Sequence, residues 1–218
     1  MTRTSLTIAL ACGLSLVAIS AHALNVWEGA ILKFEAEDKQ SPPKAGGILF
    51  VGSSSIVKWD VKKAFPDLPV LNRGFGGSQI SDVIHFFDRV VKPYAPKTIV
   101  FYSGDNDLDI GGKTGDQVIA DYKAFFAKVR ESFTDAKLIV FPIKPSIKRW
   151  HLIEVQKTVN AAVAEMLKAD KNAVYVDYCA KMLGADGKPN PALLEKDGLH
   201  MNEQGYVIWN DLVRPLLK

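Results

Sequence analysis

Apolar residues along this chain fall into short runs, separated by longer stretches in which they recur every three or four positions. The runs lie at residues 48–51, 70–71, 98–102, 138–141 and 174–176, and the helical spacing occupies roughly 55–64, 79–92, 114–131, 151–168 and 203–216. Short runs rich in Ile, Val and Phe read as strands buried on both faces. Their alternation with helices predicts an α/β fold, a three-layer α/β/α sandwich around a central five-stranded parallel sheet. An amphipathic helix carrying Trp27, Ile31 and Phe34 precedes the first strand. The Pro/Gly-rich stretch at residues 41–47 separates it from the main body, so residues 24–45 are expected to pack on a single domain formed by 46–218.

The first residues have a different character. Arg3 gives a short positive region, residues 6–19 are apolar and broken by Gly and Ser, and Ala21-His22-Ala23 has the small-x-small form of a signal-peptidase site. Residues 1–23 are therefore expected to be a signal peptide, too short and too interrupted for a convincing membrane span. Its removal from the 218-residue chain leaves 195 residues, enough for one core, and an exported, periplasmic or secreted protein is expected. The formal charge of +3 includes no basic run of the kind that binds nucleic acid. The shortened chain keeps one cysteine, Cys179, which follows an apolar run and reads as a small buried hydrophobe.

In open parallel sheets, ligands bind outside the carboxyl ends of the strands. The residues there are the most informative of the sequence. Gly52-Ser53-Ser54-Ser55 follows the first run, Asn72-Arg73-Gly74-Phe75-Gly76-Gly77-Ser78 the second, and Ser103-Gly104-Asp105-Asn106-Asp107 the third. Asp197-Gly198-Leu199-His200 stands just before the last helix. The set resembles the four signature blocks of the SGNH (GDSL-type) hydrolase family, in that order, from Gly46 onward. The resemblance implies a flavodoxin-like sheet and a serine esterase or lipase with Ser54 as nucleophile, Gly77 and Asn106 as functional residues, and Asp197 and His200 in the last block. Position 53 departs from the family pattern, with Ser where the family carries Asp.

The chemistry explains these residue types. A hydroxyl is a weak nucleophile until a base takes its proton, and an imidazole titrates near working pH. Asp197, three residues before His200, is close enough to accept the Nδ1 proton and fix the tautomer. Backbone N–H groups of Ser54 and Gly77, with the Asn106 amide, would supply an oxyanion hole. His85 lies among apolar helix residues and His151 lacks an acidic neighbour, which leaves His200 as the best base. Trp59 and Trp150 are expected to line the substrate pocket, the latter from the loop at 142–150 on the catalytic edge.

Other motifs are discounted. Residues 105–109 have part of a calcium-loop spacing, but Ile110 stands where that loop needs glycine. The glycines at 46–52 lack the Gly-Lys-Ser/Thr of a phosphate loop, and Ile56 breaks the Gly-x-Ser-x-Gly elbow. No cofactor and no metal are expected, because the chemistry needs none and no ligand cluster is spaced for one. Three readings stay open: hydrolysis of small or lipid carboxylic esters, deacetylation of a cell-surface carbohydrate, and a non-catalytic binding protein on the same fold.

Overall fold

A computed structural model describes residues 11–218, with side chains from Val26 onward. In chain order the elements are α1 (Ala11–Gln40), β1 (Ile48–Gly52), α2 (Ser54–Val57), α3 (Val61–Ala64), β2 (Val70–Gly74), α4 (Ile80–His85), α5 (Phe87–Val90), β3 (Thr98–Tyr102), α6 (Asp105–Leu108), α7 (Gly115–Ser132), β4 (Lys137–Val140), α8 (Ile153–Leu167), β5 (Ala173–Tyr175) and α9 (Glu203–Val213). Of the expected signal peptide, residues 1–10 lie outside the described residues and 11–23 are given as helical backbone only. Among the described residues no helix is long and apolar enough to cross a membrane.

All five strands are parallel, in the order β2-β1-β3-β4-β5. This is the flavodoxin-like doubly wound order, whose direction reverses between β1 and β3. Alternation along each strand feeds two cores. Leu49, Val51, Ile99, Phe101, Leu138 and Val140 face the layer of α4, α5, α7 and α8, whereas Ile48, Phe50, Val100, Tyr102, Ile139 and Phe141 face Trp59, Phe65, Trp209 and Val213. Each large apolar side chain withdrawn from water contributes about 1.5–3 kcal/mol. Both faces of the sheet are covered this way, as the unbroken apolar runs require.

The structure differs from the predicted elements mainly in continuity. The helix expected over 55–64 is two short helices, because the chain turns at Trp59, which enters the core, and restarts at Asp60, whose side chain caps α3 by accepting the Lys63 N–H at 3.1 Å. The helix expected over 79–92 breaks at Phe86, whose φ of −86° and ψ of 6° are not helical. The N-terminal helix is longer than its apolar spacing indicated and docks on the domain. Ile31 is fully buried, with Trp27 and Phe34 packed against the same core. Arg89 reaches Glu28 at 2.9 Å and Glu35 at 2.7 Å, and buried Arg73 on β2 pairs with Asp38. The Arg73 guanidinium also lies 4.8 Å from the centre of the Phe34 ring, a cation–π contact.

Candidate active site

The loops after β1, β2 and β3 and the turn before α9 meet at the carboxyl edge of the sheet. At Gly52 the chain leaves β1 with φ +139°, and a Cβ there would lie 1.9 Å from the Tyr102 carbonyl oxygen. Only glycine can make this exit. It delivers three serines in succession, which the structure separates clearly. Ser53 and Ser55 are fully buried and their hydroxyls have no protein partner among the described residues, whereas Ser54 opens α2 and its Oγ lies 3.0 Å from His200 Nε2. The departure at position 53 fits this burial. A carboxylate in that closed space would cost far more to bury than a hydroxyl.

His200 and Asp197 share one tight turn. Asp197 Oδ1 accepts the backbone N–H groups of Leu199 and His200 at 2.9 and 3.0 Å, and Oδ2 lies 2.5 Å from His200 Nδ1. Partial burial works against the charge of Asp197, but these hydrogen bonds overcome it and hold the carboxyl well below the usual range. The turn is closed by the Leu194–Met201 bridge and fixed to the 142–150 loop by the Lys148 N–H donating to the Gly198 carbonyl at 3.0 Å. Lys58, just past α2, pairs with Glu195 at 3.0 Å and ties the turn to the serine segment.

Glu195, Asp197 and His200 come close enough to be considered as metal ligands. Their donor atoms are already engaged. Glu195 takes the Lys58 ammonium through both oxygens, and Asp197 takes His200.

Asn106, in the first turn of α6, is buried beside the loop after β2. Its Nδ2 donates to the Ser78 carbonyl at 3.0 Å and its Oδ1 accepts from Arg149 at 2.9 Å. With one Nδ2 proton engaged by Ser78, the second remains for another acceptor. Among the described residues the N–H groups of Ser54 and Gly77 donate to no protein acceptor. Gly77 has φ +79°, and a Cβ on neighbouring Gly76 would lie 3.8 Å from the Ser54 Cβ, so this loop passes directly beside the serine.

Sequence reading missed the charged groups beneath the site. Lys144 and Arg149, both nearly inaccessible to solvent, converge on buried Asp105 at 3.3 and 2.9 Å. Arg149 also binds Asp109 at 2.8 Å. Burial works against the charge of Asp105, but the two cations hold its carboxyl below the usual range; burial likewise lowers the Lys144 ammonium. Asp107, which accepts the Ile80 N–H at the start of α4 and pairs with Lys113, is pushed by burial up to about 6.

One expectation about the pocket is corrected. Trp59 is only 2 % exposed, its ring lies 5.0 Å from both Phe50 and Trp209, and its indole N–H donates to Asn210 at 2.8 Å. It is a core residue, pulled inward where α2 ends. Trp150 sits half-buried in the turn after Arg149, whose side chain reaches Asn106. His85 and His151 are exposed and take no part in the cluster. Burial pushes the Cys179 thiol up to about 12, and its Sγ lies 3.6 Å from the Ile143 carbonyl, which keeps it a protonated thiol.

A hydroxyl, an imidazole and a carboxylate in line at the carboxyl edge of a doubly wound sheet define the class of α/β/α serine hydrolases acting on ester bonds. The chain belongs to the GDSL-like lipase/acylhydrolase family, whose model matches residues 53–208. No protein of curated function matches it in sequence. Solved structures share its fold. A Streptococcus pneumoniae protein described as a candidate platelet activating factor is 18% identical, with a TM-score of 0.78 over 94% of this chain and 99% of its own. A GDSL-like lipase of Bacteroides thetaiotaomicron is 19% identical, with a TM-score of 0.72 over 86% of this chain and 96% of its own. An acetylxylan esterase of Geobacillus stearothermophilus is 15% identical, with a TM-score of 0.61 over 78% and 94%.

Proposed function

We propose that the protein is an exported esterase in which Ser54 is the nucleophile, His200 the general base and Asp197 the group that orients the histidine. The observation that carries this reading is the continuous line from Asp197 Oδ2 through His200 Nδ1 and Nε2 to Ser54 Oγ, with contacts of 2.5 and 3.0 Å. His200 takes the Ser54 proton as Oγ attacks the ester carbonyl. The tetrahedral oxygen then receives the Ser54 and Gly77 N–H groups and the second Asn106 Nδ2 proton. Collapse of the tetrahedral species breaks the ester C–O bond, and the leaving alcohol takes its proton from His200. Water, deprotonated by the same imidazole, then releases the acid and restores Ser54.

Small carboxylic esters are the proposed substrates. An acetylated carbohydrate is the second reading, favoured by the acetylxylan esterase among the proteins of like fold. Aryl acetates and acetylated xylan, assayed side by side with purified protein, separate the two by which one releases acid faster. The nucleophile is tested with a fluorophosphonate probe. Labelling is expected to survive Ser53→Ala and Ser55→Ala and to vanish, together with esterase activity, in Ser54→Ala. Labelling that persists in Ser54→Ala would overturn the assignment.

A further inference from the structure

We infer that Trp27, on the N-terminal helix, is a positioning residue for the oxyanion hole: its indole N–H holds the Gly76 carbonyl and so aims the Gly77 N–H at the reacting oxygen. The inference rests on the proposed role of Gly77 as an oxyanion donor.

The argument begins with the peptide unit that joins Gly76 to Gly77. A trans peptide is planar, and its C=O and N–H point in opposite directions. Whatever holds the Gly76 oxygen therefore fixes the direction of the Gly77 proton. Two adjacent glycines leave this unit free to rotate, because neither flanking residue has a Cβ to select one orientation. Around Gly77 a Cβ would meet nothing within 4 Å, so packing does not restrain it either.

The loop is anchored on both sides of this unit, but not at it. The Phe75 N–H donates to the Gly52 carbonyl at 3.0 Å, and the Ser78 carbonyl accepts Asn106 Nδ2 at 3.0 Å. Among the described residues, the tertiary hydrogen bond made by the Gly76–Gly77 peptide is the one from Trp27 Nε1 to the Gly76 oxygen, at 2.8 Å. It comes from the face of the loop opposite to the direction in which the Gly77 N–H must point. A flipped peptide would turn a carbonyl lone pair toward the oxyanion and replace an attraction with a repulsion.

Trp27 is itself held in place. Its ring meets Phe75 edge to face at 6.2 Å, Ile31 is buried one turn later, and Glu28 is paired with Arg89 at 2.9 Å. The helix thus contributes a donor that the domain from Gly46 onward does not contain, and the site is complete only with the helix docked.

The test uses the full chain and an aryl acetate. Trp27→Phe keeps an aromatic ring against Phe75 and removes the donor. The expected result is a fall in kcat of about tenfold, the effect of losing one hydrogen bond that orients a donor, with KM and Tm unchanged. Site-specific replacement of Trp27 by benzothienylalanine, which keeps the bicyclic shape and lacks the N–H, is expected to do the same if the phenylalanine variant folds poorly. Glu28→Gln removes one of several contacts that dock the helix, without touching Gly76, and is expected to lower kcat far less than Trp27→Phe does. An unchanged kcat in the Trp27 variants, or an equal loss in Glu28→Gln, would overturn the proposal. Asn106→Ala separates the two levels: if it lowers kcat and Trp27→Phe does not, the oxyanion reading stands and Trp27 has no part in it. If Asn106→Ala leaves kcat intact, the oxyanion reading itself fails.

Discussion

Asn106 is held from both ends of its amide, and that arrangement decides what each neighbouring residue can do. Arg149 on Oδ1 fixes which side of the amide is oxygen, and Ser78 takes one of the two Nδ2 protons. In the proposed mechanism the remaining proton serves the transition state alone. Asn106→Ala is therefore expected to lower kcat by about 10²–10³ while KM stays within a small factor. Arg149→Met should lower kcat less, by roughly tenfold, because the amide survives but loses one restraint. In Asn106→Ala the same Arg149→Met change should cost little more, since the restrained group is gone. Additive losses, read from steady-state kinetics of the four proteins, would place Arg149 outside this chain of action. The convergence of Ser54, Asn106, Asp197 and His200 was legible because each stands in a short block, the first two at strand ends and the last two just before the final helix. Arg149, Lys144 and Asp105 were not. A charged residue in a Pro-bearing loop ordinarily faces water, and nothing in residues 142–150 indicates that Arg149 turns inward to only 4 % exposure. Trp59 was misjudged for the converse reason, since an aromatic close to a nucleophile in sequence can point toward it or away from it.

The strands and the long helices α7 and α8 could be read from periodicity, because burial on two faces or on one stripe leaves a clear pattern. Breaks inside the helical stretches could not, since they arise from tertiary demands: Trp59 turning into the core, and Phe86 leaving the helical region where α4 meets α5. The short helix α6, in a stretch taken for a loop, forms where Gly104 at φ +108° bends the chain out of β3. The N-terminal helix carries a prediction at this scale. Every docking contact it makes among the described residues comes from Trp27, Glu28, Ala30, Ile31, Phe34, Glu35, Glu37 and Asp38, all beyond the proposed cleavage after Ala23. Processing there would keep all of these contacts. N-terminal sequencing of material from the envelope or medium is expected to give Leu24 as the first residue, and retention of residues 1–23 would show that export does not remove them.

As a whole, the described residues form a sheet, the helices that cover it and a docked N-terminal helix, with no long apolar insertion over the carboxyl edge among them. The groove beside Asp197 is lined by the charged side chains of Lys148, Glu195 and Lys196 interspersed with Ile147, Pro191 and Leu194, so it has no continuous apolar wall. Burying a long acyl chain returns about 0.8 kcal/mol per CH₂ only where apolar walls enclose it. Short acyl esters, of about two to six carbons, are thus expected to be preferred, and p-nitrophenyl esters of increasing length check this. A kcat/KM that climbs steadily to long chains would mean that a deeper channel forms in solution. Layers and parallel pairing were visible in the alternation of elements and the sheet order was implied by the family resemblance, whereas the shape of the groove depends on loops whose paths no periodicity encodes. The turn that holds Asp197 and His200 gives the whole assembly a mechanical property. The proposed base and orienting acid sit three residues apart on one closed loop, while the hydroxyl sits at the rim of the sheet. A displacement of that loop carries imidazole and carboxylate together, keeps their mutual bond, and within the triad stretches the gap between Nε2 and Oγ. In the proposed mechanism, a disturbance of that turn would part the base from the hydroxyl without dismantling either half.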